Sequence, residues 1–116
     1  MRRLLIVDDE PLARKALMRL LRGLFDEILC ADGAERAEQA LAEQEITHLL
    51  CDRHLLDVEP GERLIIRWRE SYPSLLVAGL ITGDVVDQSE MPHAVDGVFL
   101  KPFDIDALRR FFTTDQ

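Results

Sequence analysis

Leu4-Leu5-Ile6-Val7-Asp8-Asp9 is the stretch whose reading decides the fold. Four apolar residues run without a break into two carboxylates. An unbroken apolar run of this length suits a strand buried on both faces, as in a parallel sheet covered by helices. Pro11 follows and favours a helix start, because a first-turn proline lacks only an N–H that has no intrahelical partner. The two acids therefore stand where a buried strand ends and a helix begins. In open α/β sheets that rim, at the carboxyl ends of the strands, is where ligands bind.

The same pattern recurs along the chain. Arg3 to Asp8 reads as the first strand. Pro11 to Leu24 reads as a helix, with Leu17, Leu20, Leu21 and Leu24 at the spacing of one helical face, and Gly23 near its end, where glycine often stops helices. Glu27 to Ala31 is a second strand and Asp32-Gly33 a turn. Ala34 to Glu43 is a second helix with Ala37, Ala40 and Leu41 on its inner side. Thr47 to Asp52 repeats the opening motif, an apolar strand closed by an acid. A loop from Arg53 to Gly61, containing Asp57, Glu59 and Pro60, leads to a third helix over Glu62 to Ser71. Leu75 to Thr82 is a fourth strand and Val98 to Leu100 a fifth. Between them, Gly83 to Asp96 accommodates only a short or irregular fourth helix, because Pro92 limits it. Asp104 reads as the N-cap of a last helix with Ile105, Leu108, Phe111 and Phe112 on its apolar side.

Five βα units with no repeat and no linker imply an α/β fold, a doubly wound five-stranded parallel sheet with helices on both faces. Right-handed crossovers and one reversal of strand order restrict the topology. The flavodoxin-like order 2-1-3-4-5 places strands 1 and 3 side by side at the switch point, though the residues alone do not dictate it.

The 116 residues suit one domain spanning 1–116. The 47% apolar content is that of a globular chain. A net charge of −8 argues against direct nucleic-acid binding, which needs clustered Lys and Arg. No apolar run approaches the roughly 20 residues of a membrane span, and Met1-Arg2-Arg3 does not open a signal peptide. Cytoplasmic residence is the expectation. Cys30 and Cys51 fall in apolar strand-like runs and read as reduced core thiols. His48 and His93 have no partners at ligand spacing and read as structural or surface residues.

With strands 1 and 3 adjacent, Asp8, Asp9 and Asp52 meet at one rim, where Thr82 and Lys101 also end their strands. Three carboxylates so close repel one another unless a cation intervenes. All-oxygen ligands suit a hard ion such as Mg²⁺, which uses one or two carboxylates together with water and phosphate oxygens. The three acids are balanced by one divalent ion and Lys101, so a phosphoryl group can enter without net repulsion. A carboxylate there can act as nucleophile and form an aspartyl phosphate, and positioning with charge neutralisation does most of the work in phosphoryl transfer.

Taken together, Val7-Asp8-Asp9-Glu10-Pro11, Asp52, Thr82-Gly83 and Lys101-Pro102-Phe103 resemble the receiver domain of two-component response regulators over essentially the whole chain. The resemblance implies that Asp52 is phosphorylated by a histidine kinase or histidine phosphotransfer protein. It implies that Asp8, Asp9, Asp52 and the backbone carbonyl of His54 hold Mg²⁺, that Thr82 hydrogen-bonds the phosphoryl group and that Lys101 pairs with it. It further implies a cis Lys101–Pro102 peptide. Phosphorylation would draw Thr82 inward and reshape the face around the fourth helix, fifth strand and fifth helix. On this reading the chain is a switch with at most self-catalysed phosphorylation and dephosphorylation, not an enzyme. Its output is an unknown effector, and phosphorylation-linked homodimerisation is open. The chain ends at Phe111 to Gln116 without an effector domain, so a complete regulator and a piece of a longer one both stay open.

The sequence departs from the family pattern in several places. Val98 stands three before Lys101, where an aromatic is usual, and Phe99, one residue on, points to the opposite face. Leu56 replaces a usual proline, and the loop before Gly61 is one residue longer. Thr82 and Lys101 are 19 positions apart, a few fewer than in most receivers. Arg53 is unusual beside a phosphoacceptor and reads either as a surface charge or as an electrostatic modulator. His54 and Asp84 lie two places after Asp52 and Thr82, where family side chains influence phosphoryl loss. His54 is expected to act there through its bulk and its titration near neutral pH. Two other functions compete. One is a receiver-like binding module that works without phosphate. The other is a haloacid-dehalogenase-like phosphatase, which needs an Asp-x-Asp after the first strand where this chain has adjacent acids. A flavin-binding role lacks the Ser/Thr/Gly-rich phosphate loop after the first strand.

Overall fold

Among the described residues every strand pairs in parallel. The computed structural model describes residues 1–55 and 59–114. The elements run β1 (Arg3–Val7), α1 (Pro11–Leu21), β2 (Glu27–Ala31), α2 (Ala34–Glu43) and β3 (His48–Asp52). They continue with α3 (Gly61–Ser71), β4 (Val77–Thr82), a 3₁₀ turn (Gln88–Glu90), β5 (Gly97–Leu100) and α4 (Ile105–Thr113). The sheet order is β2-β1-β3-β4-β5, as expected. In β1, Leu4 and Ile6 face a layer completed by Leu17 and Leu21 of α1 and Leu108 and Phe112 of α4. Leu5 and Val7 face the other layer, with Ala37 and Leu41 of α2 and Leu64, Ile65 and Trp68 of α3. Successive side chains alternate between faces, and both faces are covered, so the run has no polar position to spare.

Most boundaries lie within one or two residues of the pattern reading, and the end of the first helix differs most. The first helix ends at Leu21 rather than Leu24, because Gly23 takes a left-handed φ of 92° that breaks the helix. The segment between β4 and β5 is irregular, as expected, and holds only the 3₁₀ turn. Asp87 starts that turn, its carboxylate accepting from the Ser89 N–H at 2.9 Å. Pro92 then supplies no N–H and disfavours helical backbone before it. Arg69 of α3 takes over part of the missing helix's structural role. Its guanidinium donates to the Ala94 carbonyl at 2.8 Å, the Asp96 carboxylate at 2.7 Å and the Leu76 carbonyl at 2.8 Å. Asp96 in turn accepts from the Ala78 N–H at 2.9 Å, so the crossover is tied to the start of β4.

The cysteine reading needs a correction. Cys51 is buried, but Cys30 is exposed, because β2 is an edge strand. His48 is buried and hydrogen-bonds Thr47, its ring edge-on to Phe25 and Phe112, while His93 lies at the surface. Leu56 and Asp57, named in the loop reading, and the chain end at Asp115 and Gln116 lie outside the described residues. Among the described residues no helix is long and apolar enough to cross a membrane.

Candidate functional site

The register assembles the rim. Val7 pairs with Cys51, so the next step along both strands sets Asp8 level with Asp52. On the far side Thr82 pairs with Leu100, which puts Lys101 directly past the end of β5. The Lys101 N–H donates to the Thr82 carbonyl at 2.9 Å and the Arg53 N–H to the Ile81 carbonyl at 2.7 Å, so three strand ends are tied together. At β1 the Asp8 carboxylate turns back to accept from the Glu10 N–H at 2.9 Å, and Arg14 of α1 donates to the Asp8 carbonyl at 2.7 Å. Both bonds fix the acid as the chain turns into α1. Gly61 permits the same closeness at β3. A Cβ there would lie 2.4 Å from the Asp52 carbonyl oxygen, so only glycine lets α3 begin against that strand end.

Four of the expected side chains, Asp8, Asp9, Asp52 and Lys101, meet, and Thr82 ends the neighbouring strand β4. Asp8, Asp9 and Asp52 each offer a carboxylate oxygen within 4.8 Å of the others. Lys101 Nζ donates to Asp52 Oδ2 at 3.1 Å and lies 3.6 Å from Asp8 Oδ2. Asp8, Asp52 and Thr82 are buried. Burial, reinforced by the charges of Asp52 and Asp9, pushes the Asp8 carboxyl above its ordinary value against the pull of the Glu10 N–H and Lys101. Burial works against the charge on Lys101, but its hydrogen bond to Asp52 and the two acids prevail and raise its pKa. Asp8 Oδ2 is buried with no hydrogen-bond partner among the described residues. A buried carboxylate oxygen without a donor is costly, and in an all-oxygen cluster a hard divalent cation removes that cost. The residues present fit such an ion.

The Thr82 hydroxyl accepts from the Asp84 N–H at 3.0 Å, and the His54 N–H donates to Asp52 Oδ1 at 3.3 Å. Lys101–Pro102 is cis. Val98 packs with the α2 and α3 layer, while Phe99 lies on the opposite face with its ring edge-on to Phe111, centroids 5.0 Å apart. The one-residue shift thus has the consequence read from it. Arg53 is less a free surface charge than the sequence allowed. Its Nε and Nη2 both reach Glu62 Oε2 at 3.1 Å, and its Nη1 lies 4.0 Å from Asp84 Oδ2. The His54 imidazole also contacts Asp84. Glu62 escaped the sequence reading because the loop between it and Arg53 carries no periodicity that could set the two together.

An open parallel sheet with a carboxylate trio, a threonine and a lysine on its carboxyl rim defines an aspartate-centred receiver site. No family model matches the chain. A response regulator receiver protein from Pseudomonas putida is 30% identical, with a TM-score of 0.81, over 99% of this chain and 97% of that one. The response regulator TrrA from Thermotoga maritima, solved in complex with Mg²⁺ and BeF, shares the fold at TM-score 0.85 and 24% identity, each chain covered in full. The hydrogenase transcriptional regulatory protein HoxA of Bradyrhizobium diazoefficiens is 33% identical over 109 residues, 90% of this chain and 22% of that regulator. The chain thus spans about a fifth of that curated relative. It belongs to the receiver domains of two-component response regulators.

Proposed function

We propose that residues 1–116 act as a phosphorylation-operated receiver domain, with Asp52 as the phosphoacceptor. The observation that carries this reading is the buried Asp52 carboxylate held between Lys101 and the two β1-end acids. An Asp52 oxygen attacks the phosphorus of a phosphohistidine, on a histidine kinase or histidine phosphotransfer protein. A P–O bond forms, the P–N bond breaks, and the freed ring nitrogen takes a proton from water, so that a neutral imidazole leaves. Lys101 follows the charge onto the phosphoryl oxygens, and the Thr82 O–H donates a hydrogen bond to one of them. Asp8, Asp9, Asp52 and the His54 carbonyl would hold Mg²⁺, which when bound supplies positive charge to the phosphoryl oxygens. The role is that of a signalling domain, with any catalysis limited to its own phosphorylation and dephosphorylation. An effector or output protein, or a second copy of the chain, reads the change. The net charge of −8 favours a protein partner over nucleic acid, and a histidine kinase partner places the domain in the cytoplasm.

Incubation with acetyl phosphate and Mg²⁺, followed by intact mass measurement, tests the proposal. The expected result is a gain of one phosphoryl group, abolished by Asp52→Asn and by chelation of the metal. No gain in the wild type, or an equal gain in Asp52→Asn, overturns it.

A further inference from the structure

Arg53, which the phosphoryl chemistry above does not use, is held in a directed pose. Two of its nitrogens grip one oxygen of Glu62, in the first turn of α3. The pair is largely withdrawn from water, with side chains 24% and 14% exposed. A guanidinium anchored twice through Nε and Nη2 has little rotational freedom left, and its planar fork aims the remaining arm. That arm, Nη1, is 4.0 Å from Asp84 Oδ2. A charge-assisted N–H···O bond closes at about 2.7–2.9 Å, so the contact stands roughly 1 Å short. Asp84 also donates its N–H to the Thr82 hydroxyl at 3.0 Å, so the position of Asp84 and that of the hydroxyl are linked.

We infer that Arg53 is a positioning residue for Thr82, its free arm closing onto Asp84 when the residues after β4 move toward a phosphoryl group on Asp52. The inference rests on the receiver reading above. The chain Glu62–Arg53–Asp84–Thr82 then stabilises the phosphorylated arrangement more than the resting one, and differential stabilisation is what shifts a two-state equilibrium. It links the hydroxyl to the first turn of α3, a route that does not pass through position 98, where this chain has Val98. Arg53 acts here through Asp84 and not as a direct ligand of the phosphoryl group.

The test is the affinity for beryllofluoride with Mg²⁺, measured by calorimetry on the wild type, Arg53→Gln, Arg53→Lys, Asp84→Asn and the Arg53→Gln/Asp84→Asn double variant. Arg53→Gln is expected to bind about three- to tenfold more weakly. Arg53→Lys keeps the charge beside Glu62 but cannot grip Glu62 and reach Asp84 together, and is expected to lose most of the same affinity. In the Asp84→Asn background, Arg53→Gln is expected to cost less than twofold. A full loss from Arg53→Gln in that background, or full retention by Arg53→Lys, shows that Arg53 acts only as a nearby charge and overturns the inference. Wild type that binds no beryllofluoride overturns the receiver reading and this inference with it. Asp84→Asn and Arg53→Lys leave Glu62 beside a positive charge, so if Arg53→Gln fails to fold the test rests on Arg53→Lys, whose full retention of affinity overturns the inference.

Discussion

Asp8 is the residue at which stability and function pull apart. Its carboxyl is buried, one oxygen accepts no hydrogen bond among the described residues and has only the Lys101 ammonium 3.6 Å away, and its pKa is raised by burial and by the neighbouring acids. A carboxyl with a folded pKa above its unfolded value keeps its proton more tightly when folded. Its contribution to stability is therefore fully present below the ordinary value of 3.8 and is lost as pH rises through the raised folded value. Asp8→Asn keeps the shape and removes the charge. The variant is expected to be more stable than wild type at pH 7 by about 1–3 kcal/mol, the usual cost of an unsatisfied buried polar group. Thermal melts across pH should show the difference vanishing as pH falls below 3.8. Millimolar Mg²⁺ should raise the wild-type midpoint more than that of Asp8→Asn, because an ion bound only by the folded state stabilises it. Equal midpoints for the two proteins at pH 7 without metal would count against this account of Asp8. The residues were legible here for a simple reason. Asp8, Asp52, Thr82 and Lys101 each stand at or directly after the end of an apolar strand, and such runs are easily read.

Elements were less evenly legible. Strands β1 to β5 could be read from apolar runs and turn residues, because burial on both faces leaves a strong compositional mark. The crossover between β4 and β5 could be read only as a place where a full helix does not fit. What replaces the helix is tertiary and leaves no periodic trace. Arg69 joins α3 to three acceptors that are separated along the chain, on Leu76, Ala94 and Asp96. Arg69→Ala leaves those acceptors to water or to nothing. It is expected to lower unfolding stability by roughly 1–2 kcal/mol, since the site is partly solvated and water replaces some of the bonds. Denaturant titration measures the loss. Amide exchange at Val95 and Asp96, whose N–H groups donate to Pro92 and Ala78, should accelerate beyond the global change. Unchanged exchange there would mean that Arg69 does not hold the segment.

At the scale of the whole molecule, one side of the sheet is less fully clad than the other. The α1 and α4 helices cover one face, while α2 and α3 cover the other only as far as β4. Beyond it the layer is continued by Met91, Ala94 and Val95 from irregular chain, and Val85 is 88% exposed. Local stability follows the density of buried contacts and of protected backbone bonds. Native-state hydrogen exchange should therefore divide the molecule. Amides of β1, β3 and the middle of β4 should open only with global unfolding, since these strands are interior to the sheet and buried on both faces. Those of residues 83–91 should exchange through local openings costing a small fraction of the global free energy. The segment begins directly after Thr82 and ends before β5, so it lies where the proposed phosphoryl-linked movement must be absorbed. Beryllofluoride with Mg²⁺ should then protect amides in 83–91 by a larger factor than those of α1 or α2. Uniform protection across the molecule would instead indicate simple stabilisation of one rigid body by a bound ligand, and a switch built on this segment would have no mobile part to act through.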